Sequence, residues 1–236
     1  MNTQEFFDLY KNSKYDFPKI PEECDTIGKQ SEWIIFNSRV PYVPLELEGP
    51  WESMLAESRG LDAEFVRHRG DGDGWSSLCV HGVGAYKTMS ANSYPEYANV
   101  TDDQVPYDWT EIVDRCPITV DYFKNKFPWK SYNRLRFMKL APGGWIPPHN
   151  DGTHHRLVVI NISLNNPKGC DMVLENVGIV PFKNTGGAMA FNNCHNHIVQ
   201  NLSNEPRYHM IVHGVWAPEY NQILVDSYRK LLDSSK

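Results

Sequence analysis

His149-Asn150-Asp151 places an imidazole and a carboxylate two positions apart. On an extended backbone such a pair projects from one side of the chain. Alone the pattern has little weight, since nine histidines in a chain of 236 residues yield about 0.6 such matches by chance. Its setting adds to it. Pro142-Gly143-Gly144-Trp145-Ile146-Pro147-Pro148 runs directly into it and reads as a stiff turn that ends one strand. A third ligand must come from further along the chain. Cys194-His195-Asn196-His197 offers two imidazoles. His197 is preferred because it is in phase with Val199 and Asn201 and stands ten residues before Arg207. His149, Asp151 and His197 would present two imidazoles and one carboxylate to a metal ion. That donor set suits Fe(II) and leaves three positions open for a bidentate co-substrate and O₂.

Such a co-substrate needs a cation for its far carboxylate. Arg207 fits, because a guanidinium offers the planar two-pronged donor that a lysine lacks. It opens a strand on which Arg207, His209, Ile211 and His213 share one face and Tyr208, Met210 and Val212 the other. A hairpin between residues 197 and 207 would set His197 and Arg207 side by side. Arg134 and Arg136 point together from the strand that leads to the metal turn. They bind an acidic group of a substrate, or they pair with surface carboxylates; the sequence leaves both open. Trp75, His81 and the Gly70-Asp71-Gly72-Asp73-Gly74 loop are candidates for a substrate rim, against the plainer reading of a turn and a strand. His154 and His155 follow the H-x-D turn and read as solvated.

The elements that must position these groups change character near residue 130. Before it, Trp51, Met54, Leu55, Leu61 and Phe65 follow a helical spacing. Asp108 and Glu111 read as a capping box before Trp109, Ile112 and Val113. Pro117 suits the first turn of a short helix carrying Val120, Phe123 and Phe127, and Leu78-Cys79-Val80 is a strand. After residue 130 come short strands: Arg134 to Leu140, Arg156 to Leu164, Met172 to Leu174, Ala188 to Phe191, His197 to Asn201 and Arg207 to Trp216. Turn residues separate them, the pattern of a sandwich or barrel. Tyr220, Leu224, Tyr228 and Leu231 mark a terminal helix for packing or a dimer contact. The expectation is one domain over residues 1–236, with a mixed helical layer to residue 130, a β core over 131–218 that holds the metal site, and a helix over 219–236.

Composition narrows the classes. Apolar residues make up 41% and aromatics 12%, with seven Trp, enough for a packed core and against a disordered chain. The net charge is −6 and no run of five or six like charges exists, so nucleic acid is not the expected partner. No apolar stretch approaches the roughly 18 residues of a membrane helix. MNTQEFFDLY lacks the basic and apolar regions of a signal peptide. Five cysteines, an odd number without a CxxC pair, point to free thiols in a reducing cytoplasm.

Residues 132 to 218 resemble the aspartyl/asparaginyl β-hydroxylase family of Fe(II)/2-oxoglutarate dioxygenases. The matching pieces are Pro148-His149 after the Gly-Gly-Trp turn, Asn161-Ile162-Ser163-Leu164-Asn165-Asn166-Pro167, His197-Ile198-Val199-Gln200-Asn201, Arg207, and Val215-Trp216-Ala217-Pro218. The resemblance implies a mainly β fold with flanking helices, a double-stranded β-helix (jelly-roll, cupin-like) core. It implies His149 and His197 as metal ligands, Asp151 as the carboxylate ligand of the bacterial branch, and Arg207 on the C5 carboxylate of 2-oxoglutarate. Asp151 favours hydroxylation over halogenation, which needs that position free for chloride. The family carries R-x-H after the first metal histidine, where this chain has Val159 and Asn161. Asn161 is therefore expected to contact co-substrate, with Arg156 as a further candidate. The implied reaction is hydroxylation of an amino acid, free or in a peptide, aspartyl or asparaginyl first and prolyl second. The alternatives are another cupin-type metalloenzyme, which would use more histidines and no anchoring arginine, and a non-catalytic ligand-binding jelly roll.

Overall fold

The computed structural model describes residues 1–152 and 156–234. Its helices are α1 (Thr3–Tyr10), α2 (Ile27–Phe36), α3 (Trp51–Gly60), α4 (Pro117–Asn125) and α5 (Glu219–Ser234). Before the core come β1 (Tyr42–Leu45), β2 (Val66–Arg67), β3 (Asp73–Gly82) and β4 (Asp108–Trp109). The core itself is β5 (Trp129–His149), β6 (Val159–Asn165), β7 (Cys170–Leu174), β8 (Gly178–Ile179), β9 (Ala188–Phe191), β10 (His197–Asn201) and β11 (Arg207–Trp216).

The spine is β5. Residues up to Leu140 lie between β11 and β3, whereas Trp145 to His149 pair with β10. The Pro142-Gly143-Gly144 run thus bends a continuous strand, where the sequence predicts a turn that ends one. Gly143 has φ +72°, open to glycine at little cost. A Cβ on Gly144 would stand 2.8 Å from the Ala141 carbonyl oxygen and 2.9 Å from that of Asp73. Only bare backbone fits that corner.

Numbering the two parts of β5 as core strands 1 and 2, and β6 to β11 as 3 to 8, the sheet order resolves into two walls. One is 1-8-3-6 (β5, β11, β6, β9) and the other 2-7-4-5 (β5, β10, β7, β8). Every pairing is antiparallel. Two interleaved four-stranded walls are the double-stranded β-helix, the fold expected from the sequence. β1 extends the first wall beyond β9, and β2, β3 and β4 extend it from the other edge of β5.

Strand alternation divides the first wall by chemistry. Leu135, Phe137, Ile160, Ile162, Met210 and Val212 are fully buried in the apolar core, which also takes in Tyr220, Leu224 and Tyr228 of α5. Each such side chain contributes about 1.5–3 kcal/mol of burial free energy. The alternate positions carry Arg134, Arg136, Asn161, Arg207, His209 and His213, which line an internal cavity. α5 packs on α2 and β1, and α3 on α4 and β6. No helix among the described residues is long and apolar enough to cross a membrane.

Two further local expectations are corrected. Residues 108–113 form no α-helix, only the start of a 3-10 turn at Val113: Trp109 pairs with His81 on β3, and the Asp108 carboxylate accepts from the Trp109 N–H at its own turn. Glu111 reaches the Ala85 N–H in place of closing a capping box. Nor do β10 and β11 form a hairpin, since β5 lies between them. The connecting loop is tied across β5 by the Asn201 amide, which donates to the carbonyls of Leu140, Ala141 and Glu205 at 3.1, 3.1 and 2.8 Å.

Candidate active site

His149 ends β5, His197 opens β10, and the two are register partners with ring centroids 4.3 Å apart. Asp151 follows in the loop, where its N–H donates to Asn193 O at 2.8 Å. Its carboxylate lies 3.4 Å from His149 Nε2 and 4.0 Å from His197 Nε2. One donor atom from each of the three lies within 4.8 Å of the others. Both rings are oriented by the same device. His149 Nδ1 is 2.8 Å from Pro147 O, and His197 Nδ1 is 2.8 Å from His195 O. A carbonyl only accepts, so each Nδ1 carries a proton and each Nε2 is the nitrogen aimed at Asp151.

Electrostatics suit a cation at that centre. Burial, helped by the neighbouring His149, holds His197 down to about 4 from the ordinary 6.5. Burial also pulls on His149, but the hydrogen bond and charge of Asp151 outweigh it and raise its pKa. For Asp151 burial works upward, and the two histidines and Arg69 override it, leaving the carboxyl well below the usual range. Arg69 Nη1 stands 3.9 Å from the carboxylate. At neutral pH Asp151 is therefore ionised and His197 neutral, the forms a metal ion requires.

Arg207 faces the same cavity of about 330 Å³ and is 6% exposed. Among the described residues no carboxylate pairs with it. Its Nε donates to His209 Nε2 at 2.9 Å and to Asn166 Oδ1 at 3.2 Å. His209 Nδ1 lies 2.7 Å from Asn161 Oδ1. An amide oxygen only accepts, so the Nδ1 proton goes to Asn161 and Nε2 receives Arg207 Nε, while Arg207 Nη2 lies 2.8 Å from Nδ1. Burial and the guanidinium keep His209 neutral, far below its ordinary pKa. The Phe182 ring lies 5.5 Å from the guanidinium. A buried guanidinium without a counter-charge is a receptor for an anion.

The structure brings together His149, Asp151, His197, Arg207, Asn161, Arg134, Arg136 and Trp75 around one cavity. Trp75 stands 6.3 Å from His149 and packs on His68 at 4.4 Å. Arg156 is not among them: it is exposed, with its guanidinium 5.8 Å from the Phe36 ring. It falls out of step with the β6 alternation that turns Val159 and Asn161 inward. His81 also lies elsewhere, packed on Trp109 and Tyr132. His195 turns its Nε2 to Ser38 O at 3.0 Å. His154 and His155 lie outside the described residues. The sequence reading missed Asn166, His68 and the contacts of His209 and His213. The two-residue period from Arg207 places both histidines on its face, whereas His68 arrives from the distant β2 segment with no local signal.

The sequence model of the aspartyl/asparaginyl beta-hydroxylase family matches residues 52–218. No curated protein sequence matches the chain. Among solved structures, similarity extends to a Trichoplax adhaerens prolyl hydroxylase in complex with a hypoxia inducible factor peptide fragment. That pair shares 11% identity over 88% of this chain and 97% of the other, with a TM-score of 0.44. A Pseudomonas putida prolyl-4-hydroxylase shares 15% identity over 73% and 91%, with a TM-score of 0.42. A 2OG-Fe(II) oxygenase family oxidoreductase from Burkholderia pseudomallei shares 12% over 88% and 100%, with a TM-score of 0.43. The family match covers more than two thirds of the chain and takes in His149, Asp151, His197 and Arg207, so this protein belongs to the aspartyl/asparaginyl β-hydroxylase family of Fe(II)- and 2-oxoglutarate-dependent dioxygenases.

Proposed function

We propose that the protein hydroxylates an amino acid or an amino-acid residue, with an aspartyl or asparaginyl substrate as the first reading and a prolyl one as the second. The observation that carries this is the convergence of two oriented imidazoles and a carboxylate in one cavity with a buried guanidinium that lacks a counter-ion. The donor set fits Fe(II): two imidazole nitrogens with free lone pairs, one ionised carboxylate, and room on the opposite side. His149, Asp151 and His197 would hold the metal, and Arg207 would take the C5 carboxylate of 2-oxoglutarate with Asn161 and His209 behind it. Fe(II) with 2-oxoglutarate bound supplies O₂ activation, releasing succinate and CO₂ and placing a hydroxyl on an unactivated carbon.

The remaining work falls to the chain. His149 would give up its Nε2 proton where a cation takes its place beside Asp151. The carbonyls of Pro147 and His195 keep both Nε2 atoms aimed at the centre. Apolar side chains such as Met138, Ile146, Met172 and Phe191 line the same cavity and keep bulk water from it. None of the five cysteines is in a disulfide, as a reducing cytoplasm would leave them.

The test is succinate formation coupled to loss of 2-oxoglutarate, by purified protein with Fe(II) in air. His197→Ala and Asp151→Ala are expected to abolish both. Turnover that survives either substitution refutes the assignment. Elemental analysis adds an independent readout, because a ligand-binding jelly roll without catalysis would retain no iron.

A further inference from the structure

The cavity has a second cationic end. Along the inner face of β11, Arg207 is opposite Leu140, Ile211 opposite Arg136, and His213 opposite Arg134. At about 3.3 Å per residue, the four positions from Arg207 to Ile211 span roughly 13 Å of backbone. The carboxyl carbons of an extended five-carbon dicarboxylate lie only about 5 Å apart, from C–C bonds near 1.5 Å. A co-substrate held at Arg207 is thus shorter than the backbone spacing of the two arginines and is not expected to neutralise Arg136.

Nothing in the protein does so either. Arg136 is 5% exposed, and its partners are neutral: Thr88 O at 2.8 Å, His213 Nε2 at 3.2 Å and His68 Nε2 at 3.4 Å. Its buried Nε has no partner among the described residues. Burial, reinforced by the like charge of Arg134, lowers its pKa to about 9. Arg134, half-buried beside it, has no hydrogen bond or ion pair among the described residues, and the carboxylates that act on it through space are Asp102 and Asp151. Asp102 is exposed and accepts from Tyr107 and Asn133, and Asp151 belongs to the histidine pair. Two adjacent guanidiniums facing a cavity without a counter-ion are costly unless a ligand supplies the charge. An adjoining cavity of about 430 Å³, lined by Ser90, Tyr107 and Asn133, shares Arg134 and His213 with the first. Arg134 thus stands where the two cavities meet.

We propose that Arg136 and Arg134 form the anchoring site of the substrate, and that the substrate is an anion whose carboxylate docks there while a neighbouring carbon faces the His149, Asp151 and His197 centre. The inference rests on the hydroxylase reading only for what occupies the Arg207 end. The carboxylate is either the α-carboxylate of a free amino acid or the side chain of an aspartyl residue, and neutral asparaginyl and internal prolyl residues are disfavoured.

The experiment compares acids with their amides. One arm uses free L-asparagine and L-proline, each with one carboxylate, against their α-carboxamides. The other uses a capped peptide with a central Asp against the same peptide with Asn. The protein is held anaerobically with Fe(II) and 2-oxoglutarate, and its melting temperature is followed; 2-oxoglutarate consumption is then measured in air. Acids of one arm are expected to raise both, with their amides silent, and the responding arm identifies the source of the carboxylate. Arg136→Gln and Arg134→Gln should each raise the acid concentration required at least tenfold, with Arg136→Lys in between. Should Arg136→Gln fail to fold, the half-buried Arg134 and the acid–amide contrast in the unmodified protein carry the test. Amides equal to acids, or no response to any acid while 2-oxoglutarate alone stabilises the protein, overturns the proposal. An acid response without any 2-oxoglutarate response would instead defeat the hydroxylase reading and leave the anion site standing.

Discussion

Replacing Arg207 by Gln separates a ligand receptor from a structural arginine. The guanidinium donates through Nε to His209 and Asn166, and its Nη2 lies 2.8 Å from His209 Nδ1, which leaves the Nη1 hydrogens for a carboxylate. Two charge-assisted hydrogen bonds at about 1.5–3 kcal/mol each come to about 3–6 kcal/mol. At about 1.4 kcal/mol per tenfold, that is a factor of roughly 10² to 10⁴ in 2-oxoglutarate affinity. The ligand-free protein should respond far less. Gln loses neutral hydrogen bonds worth about 1 kcal/mol each, and it removes a buried charge with no carboxylate partner, which offsets them. The assays are the KM for 2-oxoglutarate in succinate formation and the melting temperature with and without 2-oxoglutarate. Ligand at a hundred times its Kd stabilises the unmodified protein by about 2.7 kcal/mol, or roughly 5–10 °C at about 2–4 °C per kcal/mol. Arg207→Gln should lose that increment and raise KM at least a hundredfold, with the ligand-free melting point within a few degrees. Arg207→Lys, which keeps the charge without the planar fork, should fall between. A KM within threefold of the unmodified protein, or a large loss of ligand-free stability, would refute the receptor reading.

Three other outcomes follow from the same geometry. Burial holds His68 at about 3 and His197 at about 4, against an ordinary 6.5, so between pH 6.5 and those values the unfolded chain binds protons that the folded chain refuses. The metal-free protein should therefore lose stability as pH falls from 6.5, by about 2 kcal/mol per histidine at pH 5. His209 and His213 act in the same direction, and His149, whose pKa is raised, opposes them. Equal urea midpoints at pH 7.5 and 5.0 would contradict this. Asn201→Ala leaves up to three carbonyls, that of Leu140 buried, without their donor. It should cost about 2–3 kcal/mol, read as a lower urea midpoint at unchanged slope. Gly144→Ala drives a Cβ against two backbone oxygens at the bend of β5. It should lower the melting temperature more than Ala at Gly143, where no atom lies within 4 Å and only the φ of +72° is strained.

What was legible in the sequence followed from alternation and turn residues. The strands at residues 188–191, 197–201 and 207–216 have the bounds read from their patterns, because Asn, Gly, Ser or Pro lies within two residues of both ends of each. The face assignment of Arg207, His209, Ile211 and His213 needed only a period of two. The misreadings were cases where a local signal lost to a distant partner. Pro142-Gly143-Gly144 carries every mark of a turn, yet β10 supplies the pairing that keeps the strand running beyond it. Asp108 and Glu111 have capping-box spacing, but the neighbouring β3 takes Trp109 into the sheet. Arg156 is near the site in sequence and far from it in space because alternation on β6 starts from Val159. His68 could not be read at all, since its role depends on Ser77, Thr88 and Arg136, none within eight residues of it.

The bend in β5 explains how one cavity gathers His149, Asp151 and His197 together with Arg134, Arg136 and Arg207. Before the bend, the strand faces the cavity with Arg134 and Arg136 and lies beside β11, which brings Arg207. After it, the strand ends in His149 and lies beside β10, which brings His197. Each half of β5 thus sets one chemical group and recruits its partner from a different neighbour, and the crossing loop held by Asn201 allows both neighbours to follow each other in sequence. A strand repeats every two residues, so a slip of one residue between β5 and β11 would turn Arg134 and Arg136 into the apolar core and Leu135 and Phe137 into the cavity. The fully buried Leu135 and Phe137 therefore do more than fill space. Their burial fixes the register that keeps two guanidiniums facing inward.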